Sequence, residues 1–361
     1  MEKAQQVYGV VAQIYPRYWA PRNDLGVAYT LLGQHDKALA EYRESLRLDV
    51  SGVSYSNVVF AYLTLNRLEE AQATAKDVLA KKLDSPELRF HLYQLAFVES
   101  DETGMAQQVA WAAGKPGVED KFLATEGDTA AYSGRLREAR EFSRRAMDSA
   151  ERAEEKETAA TYSARSGLRE ALFGNAAEAR QQVASALGLT TGRDVNWTGA
   201  LALALAGDAV RAQALADDLG KRFPEDTLVR VVYLPTLHAQ IALNRNDSSK
   251  AIEVLQAAAP YELGAVEYAL NPVFVRGEAY LTAHQGGEAA AEFQKILDHR
   301  TIVGNSPIGA LAHLQLGRAY AMQGDTAKAK AAYQDFLTLW KDADPDIPIL
   351  KEARAEYAKL Q

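Results

Sequence analysis

Apolar residues along the chain recur in steps of three and four, and the runs are broken every dozen or so residues by Gly, Asn or Asp. This is the spacing of short amphipathic helices rather than the alternation of strands. It is clearest from Asn23 to Tyr42, where Leu25 and Tyr29 lie one turn apart, as do Ala38 and Tyr42. Residues four apart share a helix face. Gly26 and Ala38 are small where two helices must approach closely, and Leu25, Tyr29 and Tyr42 fill the space around that contact. Gly33 stands between the two runs, where a glycine can take the left-handed conformation that closes a helix. Asp36 is expected to cap the second helix. The predicted unit is a pair of antiparallel helices.

The unit recurs. Landmarks at 38, 71, 105, 139, 179 and 212, all Ala except Met105, step by 33, 34, 34, 40 and 33, and the alanines at 251, 289 and 329 by 38 and 40. The lengthened steps predict longer helices or loops, such as Ala259 to Gly264. Ser85-Pro86 and Asn271-Pro272 read as a cap followed by a proline at the first helical position. Pro235 is expected early in a first helix or at a kink. Leu350, Ala353, Tyr357 and Leu360 share one side of a last amphipathic segment, as in a terminal solvating helix. The predicted organisation is therefore about six pairs over 19–226, about three with longer helices or loops over 227–345, and a capping helix over 346–361. Residues 1–18 repeat the spacing of a second helix, since Ala4, Tyr8, Val11 and Pro16 match Ala38, Tyr42, Ser45 and Val50. They are expected to be either half of a truncated repeat, with Met1 inside a longer protein, or an N-terminal cap.

Leu, Gly and Tyr at 0, +1 and +4, Gly at +8, Ala at +13 and Tyr at +17, in a period of about 34, resemble the tetratricopeptide repeat over essentially the whole chain. The resemblance implies an all-α superhelical solenoid of antiparallel helix pairs, whose concave side is lined by the first helix of each pair and holds a protein or peptide. On that register the open inner positions are expected to include Asn23, Val27, Asn57, Phe60, His91, Gln94, Asp128, Arg165, Trp197, Phe274, Glu278, Gln315 and Arg318. Their mixture of amides, charges and aromatics suits an extended peptide held by backbone hydrogen bonds and aromatic anchors.

Composition narrows the partners. The chain has 361 residues, 48% of them hydrophobic, and no cysteine, so it is long enough to bury an extended core without disulfides or a thiolate-bound metal. A net charge of −8 argues against direct nucleic-acid binding. The longest apolar run, Ala200 to Ala206, is far too short for a membrane span.

Ala290 to Arg300, Asn305 to Ala312 and Leu339 to Pro348 resemble the C-terminal repeat region of large bacterial serine/threonine protein kinases, especially those of acidobacteria. Related arrays follow winged-helix transcriptional regulators. The resemblance implies an upstream kinase or regulator domain and a sensory or recruiting role for this part. No Gly-rich phosphate loop, Val-Ala-Ile-Lys, His-Arg-Asp or Asp-Phe-Gly occurs here, so kinase activity can be placed on no residue of this chain.

Local motifs add no catalysis and no cofactor. Asp342-Ala343-Asp344-Pro345-Asp346 opens like a calcium loop, but Ile347 replaces the turn glycine and Ala353 the bidentate glutamate, leaving a polar connector. Gly304-Asn305-Ser306-Pro307-Ile308-Gly309 is one residue too long for a nucleophile elbow, and Ser306 is read as a helix cap. The six histidines lack the paired spacing of a zinc protease. Glu151 to Glu157 carries both signs and reads as a solvated helix end.

Overall fold

The helices start and stop where small and polar residues mark the turns. A computed structural model describes residues 1–264 and 270–360, so Gln361, the last residue of the expected cap, lies outside the described residues. Gly33 closes its helix with φ of 69°, and in other repeats Asn66 (55°) and His284 (57°) take the same left-handed position. Ser85 accepts the Leu88 N–H at 3.2 Å with Pro86 just inside the helix. Asp36 does not cap: the helix starts two residues earlier than expected, at His35 behind Gln34, and leaves Asp36 in the first turn, where its charge faces the positive end of the dipole. Ser306 stands at the cap position without a side-chain bond.

The chain forms two compact units. Unit 1 begins with α1 (Glu2–Ile14) and continues with α2 (Ala20–Leu31) and α3 (His35–Leu48), α4 (Gly52–Thr64) and α5 (Leu68–Ala80), α6 (Pro86–Val98) and α7 (Glu102–Ala112). Unit 2 contains α8 (Glu119–Tyr132) and α9 (Leu136–Arg152), α10 (Lys156–Leu172) and α11 (Ala176–Leu189), and α12 (Arg193–Leu205) and α13 (Ala209–Arg222). It continues with α14 (Leu234–Leu243) and α15 (Ser248–Leu255), then α16 (Asn271–Thr282) and α17 (Gly286–Asp298). The one-turn α18 (Arg300–Val303) belongs to unit 1, whereas α19 (Pro307–Met322), α20 (Thr326–Leu339) and α21 (Pro348–Ala358) belong to unit 2. Among the described residues the structure is all helix and turn, an all-α solenoid of antiparallel pairs.

One register recurs within the pairs. A side chain at Gly26 would meet the Tyr42 ring, one at Gly277 the Phe293 ring and one at Gly317 the Tyr333 ring, at 2.5, 2.6 and 2.9 Å. The ring always comes sixteen residues after the glycine. The glycine is thus a seat for the aromatic of the second helix, a tighter reason for its smallness than backbone approach. Tyr42, Phe293 and Tyr333 are accordingly buried. Pro235 lies at the start of α14 behind a π-helical turn, Val229–Tyr233, in which the Leu234 N–H reaches Val229 O. Proline removes one ladder donor, and the wider turn absorbs the mismatch.

Unit 2 comes round on itself. Fully buried Trp340 donates from Nε1 to Tyr132 O at 2.9 Å and packs edge-on to Phe173. The Asp344 carboxylate accepts the Arg137 N–H at 2.7 Å, while its own N–H donates to Gly134 O at 3.0 Å. Arg135, at the cap position of α9, provides no side-chain cap, so Asp344 supplies it from more than two hundred residues away. The connector read as a near-miss calcium loop is a clasp.

Candidate binding surface

In unit 1 the first helices of three pairs carry six of the expected residues along one strip. Asn57 Nδ2 on α4 donates to Asn23 Oδ1 on α2 at 2.7 Å. One turn along α4, Phe60 stacks on His91 of α6, with centroids 5.0 Å apart and planes at 21°. His91 Nδ1 lies 3.1 Å from Ser56 Oγ, which holds the imidazole against the phenyl ring. Gln94 is half-buried beside it on α6, and Val27 is 40% exposed on α2. Amides that can meet a peptide backbone therefore alternate with flat apolar rings.

Two further segments pack onto the helices of this unit. Unit 1 is completed by 260–270 and 299–304, two segments that come from far along the chain. They occupy the stretches where the repeat step lengthens. At the α2–α3 turn the backbone of Leu263 and Gly264 lies against Gly33, and Leu263 O is 3.1 Å from His35 Nε2. Burial, opposed by that hydrogen bond, lowers the His35 pKa. Tyr261 donates to Glu2 Oε1 at 3.1 Å beside a polar cavity of about 290 Å³ that Gln5, Gln6 and Gln34 also line. The second segment contains α18, which packs against both α4 and α6 and buries Ile302 and Val303.

In unit 2 several expected groove residues are not open. Trp197 is 0% exposed because it packs on Tyr233, with centroids at 4.6 Å. Phe274 is 2% exposed because it turns toward Phe293 of its own pair, and Asp128 and Gln315 are also buried. Asp128 receives Arg165 and Arg169, and Arg169 also bonds the Ser143 hydroxyl. Nearby Glu170 accepts both nitrogens of Arg140 at 2.7 and 2.8 Å. α19 packs against α8 and α10, and Asn305 bonds Thr125 O and Thr129 Oγ1, so the faces of these first helices are used within unit 2. Glu278, Gln315 and Arg318 form a chain: Gln315 donates to Glu278 at 3.2 Å, and Arg318 holds Glu356 with two bonds of 2.9 Å. Burial pushes the Glu278 carboxyl up to about 7 against the pull of Arg318. Reading inner positions from register overlooked Ser143, Arg169 and Glu170, whose only sequence signal was polarity on an otherwise apolar helix face.

Among the described residues no three His, Asp or Glu side chains converge as a metal site, and no helix is long and apolar enough to cross a membrane. No curated protein sequence matches the chain significantly. Tetratricopeptide-repeat models match residues 22–49 and 311–343. Solved structures with similar folds include yeast Tom70, with 14% identity over 96% of each chain and a TM-score of 0.32. They also include human IFIT1, a dimer with PPP-AAAA, with 17% identity over 99% of this chain and 84% of that one and a TM-score of 0.49. A tetratricopeptide repeat protein from Parabacteroides merdae shows 12% identity over 83% of this chain and 98% of that one, with a TM-score of 0.35. The two matched segments are α2–α3 and α19–α20 with their margins: these two pairs are tetratricopeptide repeats, and the described helices between them form further pairs.

Proposed function

We propose that the chain is a non-catalytic scaffold that binds protein or peptide, and that its binding surface is the Asn23–Asn57 and Phe60–His91 strip of unit 1. The observation that carries this reading is the alternation of paired amides and stacked rings across three adjacent helices. Such a face offers hydrogen bonds to a backbone and an apolar platform to a side chain. The resemblance of Ala290 to Arg300, Asn305 to Ala312 and Leu339 to Pro348 to the repeat region that follows such kinase domains supports a finer assignment, as the C-terminal interaction or sensory region of a bacterial serine/threonine protein kinase. Peptide display against the whole chain tests the first part. Enriched peptides should lose at least tenfold in affinity for Phe60→Ala, and a selection that enriches nothing, or only peptides indifferent to Phe60, overturns it. Reading the gene upstream of Met1 tests the second: kinase motifs support the assignment, and a winged helix replaces it with a regulator arm.

A further inference from the structure

The segment packed against α4 and α6 indicates what these helices accept. Between most pairs the chain crosses in a few residues: Asp49–Ser51 suffices between α3 and α4, and Thr190–Gly192 between α11 and α12. Between α17 and α19 it takes His299 to Ser306 and spends them on a detour. A single helical turn has almost no stability in water, because nucleation costs more than one turn returns. The order of α18 is therefore lent by what it touches. It touches α4 and α6, two first helices whose other sides are taken by α3, α5 and α7; the side left to it is the one on which we place Phe60 and His91. Ile302 and Val303 are 6% and 9% exposed there. Gly304 then turns the chain away with φ 55° and ψ −135°, a conformation open to glycine and essentially closed to other residues.

We propose that the inner face of α4 and α6 is a receptor for a short helical turn bearing two adjacent β-branched apolar residues, and that residues 299–304 are its resident ligand. A protein partner presenting such a turn takes the site by displacing α18. This rests on the peptide-binding reading above and names the partner's chemistry and the competitor it meets.

The test uses the full chain and a fluorescent peptide spanning Leu297 to Ser306. A tethered segment has an effective concentration of about 1 mM, so a free peptide of roughly 0.1 mM affinity should bind the Ile302→Asp/Val303→Asp chain about tenfold more tightly than the unaltered one. Adding Phe60→Ala to the emptied chain should abolish the gain. If the emptied chain keeps its helical circular dichroism yet binds no better, or binding survives loss of Phe60, the proposal fails. Should the double variant not fold, hydrogen exchange on the unaltered chain decides. Faster opening of 299–304 than of α17 and α19 supports a separable ligand, and equal rates overturn it. Display peptides that need Phe60, found alongside failure of the Leu297–Ser306 peptide, would remove the resident-ligand proposal and leave the binding reading standing; failure of both removes both.

Discussion

Replacing Trp340 by Ala removes the centre of the unit 2 clasp. The indole is fully buried, packs on Phe173 at 5.0 Å and on Phe336 at 4.7 Å between centroids, and satisfies the last carbonyl of α8. Truncating a buried aromatic of this size costs about 3–5 kcal/mol. Stranding the Tyr132 carbonyl adds about 1 kcal/mol, for an expected loss of about 4–6 kcal/mol. Trp340→Phe keeps a ring in the site and forfeits mainly the N–H and part of the volume, which should cost about 1–2 kcal/mol. At roughly 2–4 °C per kcal/mol for a unit of this size, the alanine variant should melt about 10–20 °C lower. Repeat arrays can open piecewise, so the melt should be paired with hydrogen exchange over α8, α9 and α19 to α21, where protection should fall together. A Trp340→Ala chain within about 1 kcal/mol of the original, or lost protection confined to α20 and α21, would refute the idea that this side chain joins the ends of unit 2.

Asp344→Ala should cost about 1 kcal/mol as a lost helix cap, while Asp342→Ala costs nothing measurable in the same urea titration. Glu278→Gln tests the half-buried, desolvated carboxyl. Its pKa is raised from 4.5 to about 7, so the folded state holds a proton that the unfolded chain releases above pH 4.5, and the associated stability is lost as pH rises through 7. The glutamine, which stays protonated in effect and still accepts from Gln315, should stabilise by about 1–3 kcal/mol at pH 8 and by nothing at pH 4; equal gains at both would exclude ionisation as the cause. Gly277→Ala should destabilise by about 1–2 kcal/mol, because overpacking against the Phe293 ring exceeds the gain in helix propensity. Gly188→Ala, where nothing lies within 4 Å of an added carbon, should instead stabilise by a few tenths of a kcal/mol.

The helix pairs were legible because a local rule repeats: Gly26, Gly277 and Gly317 each lie sixteen residues before the aromatic they seat, and turn residues such as Gly33 mark the hairpins. The lengthened steps after Ala212 were visible too, but not their destination. Nothing in the spacing of 299–304 says that it seats on α4 and α6, and nothing in the acidic run around Asp344 says that it caps α9. The expected site fared unevenly for a related reason. Positions on α2, α4 and α6 came together, whereas Trp197 and Phe274 were judged open by register and are buried by neighbours that register does not specify. Asp36 shows the scale at which local cues fail, since a helix starting two residues early turns a cap into a first-turn charge.

The make-up of unit 1 has a consequence for synthesis. Its first helices leave the ribosome long before residues 260–270 and 299–304 exist. At about 5–20 residues per second, α4 and α6 wait on the order of 10–40 s for α18 to emerge. During that interval the nascent chain lacks the segment that packs on α4 and α6, which is when a chaperone or an early partner would have uncontested access to that face.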